Sequence, residues 1–422
     1  MGSSGSNLIF KKSKFETEGN LSGLALPIVI IFFSWGFGTG ALWVARPLFT
    51  LSFGVSLFFV GLISSLSAGP RMISGPITGY LSDRWGRKPL IMIGAIGHGT
   101  VLVLQAFSTN FFQYAVLEVF AGLAIAFWVV SSGVLVADVT NAGNRGRGVA
   151  LRNTAQRVGL LAGPVVGGII AGLFDLRWVF IFIALTRLVV LLVTLTMIPE
   201  TKPLKSEAPV LNEHIAARKG LSSLNMFANR PFAGLVAATF AFGTVGLGPG
   251  VFRTYFPIHA QNAGGLDPTA IGNLVGVAGL ITLILTMPIG VLLDRYGRKK
   301  LIIAGLLATI LATFLLGTVA GLVTAFFAVT AFAVAEGTNS NTILTYAMDL
   351  APIDHRGAFI GAYHFMLSFG QVIGPLSAGL LATYFELQTT FFLICGAIVL
   401  CTLIFAMMAP ETFERQVSRK SN

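Results

Sequence analysis

The chain has 422 residues, of which 55% are hydrophobic and only 11% are charged. A soluble domain carries about 25% charged residues, so this composition excludes an ordinary soluble domain and predicts an integral membrane protein. The net charge of +11 does not indicate nucleic-acid binding, because most Lys and Arg residues lie in loops between apolar segments. The apolar segments recur at about 20 residues each, which predicts spanning helices rather than the shorter, alternating strands of a barrel.

Twelve apolar segments are long enough to cross a membrane, which predicts an all-α membrane protein. The predicted spans are 24–47, 56–81, 89–108, 112–137, 150–173, 177–198, 231–258, 268–292, 300–319, 323–348, 358–384 and 388–409. The corresponding domains are a tag remnant with an N-terminal tail (1–23), a first six-helix bundle (24–198), a hydrophilic linker (199–230), a second six-helix bundle (231–409) and a tail (410–422).

The distribution of basic residues predicts the orientation of the chain in the membrane. An even number of spans places both termini and the linker on one side. All but six of the 28 Lys and Arg residues lie on that side, the exceptions being Arg46, Arg71, Arg157, Arg177, Arg187 and Arg253. The positive-inside rule makes that side cytoplasmic, so we expect a multi-pass protein of the cell membrane with both termini in the cytoplasm.

The two halves of the chain are copies of each other. The segment Gly79–Lys88 (GYLSDRWGRK) returns 211 residues later as Gly290–Lys299 (GVLLDRYGRK). Asp138 pairs with Asp349 at the same offset, and the Gly-Pro pair at 163–164 returns at 374–375. Each half has six predicted spans and starts on the same side, so the repeats are parallel and related by an axis along the membrane normal.

The doubled Gly-x-x-x-Asp-Arg-x-Gly-Arg-Lys segment resembles the loop signature of the major facilitator superfamily, which joins spans two and three and spans eight and nine. The resemblance covers essentially the whole chain. It implies twelve helices in two parallel-repeat six-helix bundles that rock around a central site, which is alternating access.

The resemblance also assigns gating roles around this loop. Glycine at position 79 allows close packing, and glycine at position 86 allows a turn with positive φ. Asp83 is expected to face the N-terminus of span eleven, and Arg87 to pair with Asp138, so that the cluster latches the halves on the cytoplasmic side. The alternative is a simple positive-inside anchor. The full set of expected gating residues is Gly79, Asp83, Gly86, Arg87, Asp138, Gly290, Asp294, Gly297 and Arg298.

A stripe of glycines marks the fifth span. Gly159, Gly163 and Gly167 are four residues apart, so they form one bare helix face next to Pro164. The stripe resembles the antiporter signature of proton-coupled drug exporters in this superfamily, which suggests that it touches a helix of the other half. The alternative is generic small-residue packing. A weaker copy in span eleven contains Gly374 and Pro375, and we assign these residues to helix packing as well.

Two carboxylates inside predicted spans are candidates for proton coupling. The charges of Glu118 in span four and Glu336 in span ten are costly in a membrane unless each carboxylate is paired or in contact with water. Exporters of this type usually carry an arginine where Glu118 stands. The alternative role for Glu118 is a buried ion pair with Arg71, Arg157 or Arg187. The second half is expected to hold no comparable central arginine, only Arg253 toward the outer end of span seven, which makes Glu336 the preferred proton site.

The expected substrate contacts are polar or aromatic side chains at membrane depth. They are Arg71, Trp43, Trp128, Asn339, Asn341, His364 and Gln371. Packing or lipid contact is the alternative for the aromatic residues, and a carboxylate partner is the alternative for Arg71.

These observations favour a secondary transporter over an enzyme. The sequence shows no nucleophile–base set, nucleotide loop or metal-ligand cluster, and we expect neither a cofactor nor a metal. The expected partners are a small-molecule substrate, protons and the lipid bilayer, and we expect a monomer. The activity that fits best is proton-coupled antiport exporting a lipophilic small molecule. The alternative is proton-coupled uptake or exchange of an organic anion, which the membrane arginines would attract.

Overall fold

The computed structural model describes residues 21–140, 144–201, 229–246, 248–352 and 356–412, and these residues form an all-α fold. The first half contains α1 (Leu21–Leu51), α2 (Leu57–Trp85), α3 (Arg87–Ala106), α4 (Phe111–Asp138), α5 (Arg145–Leu173) and α6 (Leu176–Met197). The second half contains α7 (Arg230–Val245), α8 (Val251–Asn262), α9 (Pro268–Tyr296), α10 (Arg298–Gly317), α11 (Leu322–Leu350), α12 (Arg356–Tyr384) and α13 (Leu387–Met408). Most of the expected tail, linker and tag residues lie outside the described ranges.

Eleven of the described helices are long and apolar enough to cross a membrane, and α7 and α8 together supply the remaining crossing. The prediction of one continuous helix at 231–258 is wrong, because α7 ends at Val245 and α8 begins at Val251. Proline at position 249 lacks a backbone donor and disfavours a helical residue before it, and Gly248 adopts φ +61°. The break places Arg253 in the first turn of α8.

The glycine stripe of α5 packs against α1 of its own half. A Cβ on Gly163 would lie 2.9 Å from the backbone nitrogen of Ala41, and one on Gly167 would lie 2.9 Å from the Cα of the same residue. Gly159 meets the α1 backbone at Phe33 and Phe37. The expectation that this stripe touches the other half is therefore wrong, and the bare face brings two helices of one bundle into backbone contact.

Contacts to the other half come from the adjacent face of α5. A Cβ on Gly168 would lie 2.5 Å from the carbonyl oxygen of Pro268 and 2.9 Å from the Cα of Gly272, both in α9. The second half shows the same pattern. Gly374 packs on Thr244 of α7 in its own half, whereas Gly379 meets Leu57 and Phe58 of α2 in the other half. The neighbouring residues Gly167 and Gly168 thus face different partners: the first faces α1 of the same bundle, and the second faces α9 of the other half.

The halves meet on the side of the molecule that carries the start of α2 and the end of α12. We call this the opposite side, and we call the side with Gly86 and Gly297 the loop side. Ser64 and Thr254 hydroxyls lie 2.9 Å apart across the interface. The Tyr255 hydroxyl donates to the carbonyl oxygens of Leu57 at 3.2 Å and Pro375 at 2.8 Å. The bonds to Ser64 and Leu57 cross between the halves and seal the opposite side.

The loop side is open between the halves. In the described part of the chain, nothing lies within 4 Å of the position that a Cβ on Gly79 or Gly290 would take. Tyr80 and Val291, next to these glycines, are exposed. The space between the bundles therefore opens toward the loop side and is closed toward the opposite side.

We expect Gly163→Val to destabilise the first bundle, because the added side chain would meet the α1 backbone at Phe37 and Ala41. Overpacking of this kind costs roughly 1–3 kcal/mol, so the Tm of the purified protein should fall. The matched control is Gly168→Val, whose side chain meets the other half; it should keep the Tm but separate the halves on the opposite side. Spin-label distances between α2 and α12 would measure that separation. Equal losses of Tm in both variants would contradict this assignment of the two faces.

Candidate functional site

The repeated loop is a helix-to-helix corner formed by a single glycine. Gly86 adopts φ +101° between α2 and α3, and Gly297 adopts φ +90° between α9 and α10. Side chains rarely adopt this backbone conformation, so glycine is required there. The turn places the first residue of the next helix, Arg87 or Arg298, inside the corner, where both arginines are buried.

The buried arginine ties together the ends of three helices in the first half. Arg87 Nε donates to Asp138 Oδ2 at 2.8 Å, at the end of α4. Its guanidinium also donates to the carbonyl oxygen of Ser82 at 2.9 Å and lies 3.2 Å from the Asp83 carboxylate. The expected pair between Arg87 and Asp138 is thus present. Asp83 itself is 72% exposed, so it remains accessible to solvent.

Sequence reasoning missed a second carboxylate in this corner. Glu200 Oε1 accepts a hydrogen bond from the backbone nitrogen of Arg87 at 2.9 Å, which caps the start of α3. The hydroxyl of Thr201 donates to Asp138 Oδ2 at 3.1 Å. The available signal was the Pro-Glu-Thr sequence at 199–201, which recurs at 410–412 with the same offset as the loop.

The second half repeats this corner in the residues that the structure describes. Arg298 Nε donates to Asp349 Oδ2 at 3.1 Å, and Glu411 Oε1 accepts from the Arg298 backbone nitrogen at 2.9 Å. The Thr412 hydroxyl donates to the same aspartate at 3.1 Å. The backbone of Asp294 lies in the last turn of α9, but its side chain lies outside the described residues.

We expect Glu200→Ala to destabilise the first bundle by roughly 0.5–2 kcal/mol, because the start of α3 loses its carboxylate cap. Glu411→Ala should have a similar effect on α10. Glu386→Ala is the matched control, since Glu386 precedes α13 without a side-chain capping bond. Thermal unfolding in one detergent would compare the three variants. A Tm for Glu200→Ala equal to that of Glu386→Ala would contradict the capping role.

Two adjoining cavities lie between the halves. The first has a volume of about 260 Å³ and the second about 240 Å³. They share five lining residues, which are Trp43, Gln156, Leu160, Arg253 and Glu336. The first half contributes side chains from α1 and α5 to this shared wall, and the second half contributes α8 and α11. The candidate substrate site is therefore a central cavity built by both bundles.

Glu336 is paired inside this cavity. Both of its carboxylate oxygens accept hydrogen bonds from Arg253 at 2.8 Å. The premise that the second half lacks a central arginine is wrong, because the break before α8 turns Arg253 toward α11. The indole ring of Trp43, from the other half, lies 3.7 Å from the Arg253 guanidinium carbon. The cation therefore contacts one carboxylate and two aromatic faces, Trp43 of the other half and, at 5.4 Å, Phe332 of its own half.

Two other arginines between the halves have neutral partners. Arg71 donates to Gln371 Oε1 at 3.0 Å, from α2 to α12. Arg157 donates to the hydroxyl of Thr286 at 2.8 Å, from α5 to α9. Arg157 lines the first cavity, and Arg71 lines the second. Within the described residues, neither guanidinium forms an ion pair.

Glu118 lies in the first bundle and does not line either cavity. It is only 1% exposed, and its carboxylate lies 2.9 Å from the Arg46 guanidinium. The amide of Gln105 donates to its other oxygen at 2.7 Å. The expected partners Arg71, Arg157 and Arg187 were therefore wrong. Arg46 was missed because the sequence placed it at the end of the first span, whereas α1 continues to Leu51.

The remaining expected substrate contacts divide between core and surface. Trp128 is buried and stacks on Trp35 with ring centroids 3.9 Å apart, so it belongs to the bundle core rather than the cavity wall. Asn339 is also buried, and its amide donates to the Thr309 hydroxyl at 3.1 Å, which ties α11 to α10. Asn341 and His364 are exposed and do not line the two cavities.

A buried basic cluster in the first bundle also went unpredicted. Arg187 of α6 donates to His98 Nδ1 at 3.1 Å and to the carbonyl oxygen of Trp35 at 3.0 Å. Its guanidinium carbon lies 4.0 Å from the Trp35 ring. His98 and Trp35 both line the second cavity, so the cluster forms part of its wall.

Comparisons with known proteins agree with this architecture. The tetracycline resistance protein, class H, of Pasteurella multocida is 26% identical over 77% of this chain and 79% of its own length. The multidrug resistance protein MdtG of Proteus mirabilis is 28% identical over 82% of this chain and 84% of its own. Two solved structures share the fold: a D-xylose-proton symporter (TM-score 0.74, 18% identity, 93% and 98% of the two chains) and the nucleoside transporter NupG (0.75, 16%, 91% and 98%).

The family model of the Major Facilitator Superfamily matches residues 28–267 and again 246–421. The first match covers the first bundle and continues through α7 and α8, and the second covers the second bundle from α8 onward, so the same model matches both copies of the internal repeat. Since the two matches together include nearly every described helix, the chain belongs to the Major Facilitator Superfamily and is a membrane transporter.

Proposed function

We propose that this protein is a proton-coupled antiporter that exports a lipophilic small molecule by alternating access. The loop side is taken as cytoplasmic, because it carries the basic loops. The central cavity then opens to the cytoplasm in this structure and is sealed toward the outside. Names of relatives support export: two of them are a tetracycline resistance protein and a multidrug resistance protein. The protein is further proposed to act as a monomer with both termini in the cytoplasm.

The cavity wall supports a lipophilic substrate. Trp43, Phe252 and Phe332 line a side pocket that adjoins the shared wall, and the Phe252 and Phe332 rings stack with centroids 3.9 Å apart. Sites for drug-sized ligands combine such apolar surfaces with a few polar groups. Here Gln156 and Ser340 supply neutral polar groups next to the aromatic wall.

The observation that carries proton coupling is the Arg253–Glu336 pair. Glu336 is the carboxylate that lines both cavities, and its side chain is 14% exposed while both of its oxygens meet one guanidinium nitrogen of Arg253. Protonation of Glu336 would remove its charge and weaken its hold on Arg253. A carboxyl group that is neutral in one state and paired in the other carries one proton per cycle, which is the requirement for antiport.

We expect Glu336→Gln to keep substrate counterflow without a pH gradient but to lose pH-driven accumulation, because glutamine cannot exchange a proton. The measurement uses one proteoliposome preparation and a panel of lipophilic compounds beginning with tetracycline. Glu118→Gln is the matched control, since this buried carboxylate lies outside the cavity, and it should retain accumulation. Retained accumulation in Glu336→Gln would place the proton elsewhere. Failure of wild-type protein to couple any compound to proton flux would contradict antiport itself.

We expect Asp83→Asn to abolish transport while leaving the Tm nearly unchanged. Asp83 is exposed and contacts Arg87 only along the helix surface, so its loss costs the fold little. A latch role requires its charge when the loop side closes. Asp175→Asn is the control, because Asp175 caps α6 on the opposite side. Wild-type transport rates in Asp83→Asn would rule out the latch.

A further inference from the structure

The central cavities carry an excess of positive charge. Four arginines line them: Arg46, Arg71, Arg157 and Arg253. Two of the four are neutralised by Glu118 and Glu336. The other two, Arg71 and Arg157, have only a glutamine and a threonine as described partners. Both side chains are half-buried, and a cation without a counter-ion in a partly apolar cavity favours a compensating anion from outside the chain.

The internal repeat indicates that the fold does not depend on these two arginines. The offset of 211 places Thr282 opposite Arg71 and Ser368 opposite Arg157. The corner arginines, by contrast, are present in both halves with the same partners. Because the second half folds in the same way without them, the fold does not require Arg71 or Arg157. Their positions are specific to the cavity.

A third donor lies in the wall of the second cavity. His98 Nδ1 accepts a hydrogen bond from Arg187, so a neutral ring carries its proton on Nε2. His98 is 1% exposed, and its Nε2 has no hydrogen-bond partner among the described residues. A buried N–H donor without an acceptor is rare and calls for an acceptor from a ligand or water. Histidine and both arginines would all donate to the same kind of group.

We propose that the exported molecule is a lipophilic organic anion, whose acidic group is attracted by the charges of Arg157 in the first cavity and Arg71 in the second, and whose apolar body lies against Trp43, which lines both. This inference rests on the proposed export function and adds the charge of the substrate. Arginine presents several donors in a fixed plane, which suits a carboxylate. Aromatic residues Phe252 and Phe332 beside Trp43 provide the apolar surface, which an inorganic anion would not need.

Both arginines bond to neutral partners in the other half, so a ligand that displaces these partners would change the contacts between the halves. Arg71 bonds to Gln371 and Arg157 bonds to Thr286, and each bond crosses from the first half to the second. An anion that takes over these donors would replace contacts between the halves. Binding would therefore weaken closure on the opposite side, which is the step that an exporter takes after loading.

The test compares a matched acid and amide in purified full-length protein. The probes are 1-naphthaleneacetate and its neutral analogue 1-naphthaleneacetamide, together with 4-phenylbutyrate and 4-phenylbutyramide. Equilibrium binding in nanodiscs gives the dissociation constants, and pH-driven transport in proteoliposomes is measured with the same compounds and with tetracycline. We expect the acids to bind at least about tenfold more tightly than the amides.

Arg71→Gln and Arg157→Gln should each weaken binding of the acids roughly 10- to 100-fold, with little change for the amides. Lysine at either position should restore part of the affinity, which a merely structural loss would not allow. Arg152→Gln is the matched control: Arg152 lies on α5 near Arg157 but stacks over Phe32 and does not line the cavities. It should bind the acids like the wild type.

Equal affinity for acids and amides, including absence of binding by all four, would overturn the inference. So would displacement of the acids by chloride at equal concentration, since the apolar body would then contribute nothing. If amides or tetracycline are transported and the acids are not, the inference fails while proton-coupled export stands. If none of the compounds moves with the pH gradient, the proposed function fails as well.

Discussion

A charged side chain between apolar helices must be paired, hydrogen-bonded or in contact with water, and this constraint determines where the polar groups of this transporter lie. Arg46 meets Glu118 inside one bundle, and Arg253 meets Glu336 at the surface of the other. Each pair joins two helices that are distant in sequence. The guanidinium of Arg187 is instead satisfied by carbonyl oxygens, a histidine and an aromatic face.

The repeat shows whether these pairs belong to the scaffold. Phe33 and Phe37 contact Gly159 as Phe240 and Thr244 contact Gly370, an offset of 207 between α1 and α7. Beyond the break before α8 the offset returns to 211, as Gly54 and Gly265 with their positive φ show, so Arg46 corresponds to Pro257 and not to Arg253. Their carboxylate partners do not correspond either, because Glu118 matches Val329 at offset 211, and Glu336 lies seven residues, about two helical turns, farther along α11. Neither ion pair is therefore repeated: the Arg46–Glu118 pair is specific to the first half, and the Arg253–Glu336 pair is specific to the second.

Local sequence features were sufficient to predict the fold. Apolar length predicted the spans, and a repeated glycine with four neighbouring charges predicted both corners and the pair of Arg87 with Asp138. Contacts between distant helices were not predictable in the same way. Helical period shows that Gly163 and Gly167 share a face, but it does not show which helix covers that face. The pairing of Arg253 depends on the direction of the bend before α8, which the residues at 248–250 do not specify. A tryptophan suits a bundle core and a cavity wall equally well, so the sequence did not show which of the two Trp128 occupies.

The position of Trp43 links the charge pair to the movement of the two halves. Arg253 and Glu336 both belong to the second half, so rocking of the bundles does not separate them. Trp43 belongs to the first half and covers the Arg253 guanidinium. Opening of the opposite side would draw α1 away from α8 and replace the aromatic face with water. Water weakens the attraction between the two charges, because the interaction energy falls as the local dielectric constant rises. Under the proposed antiport, the conformational change and the protonation of Glu336 would be coupled through the Trp43 contact, with no movement of the carboxylate itself.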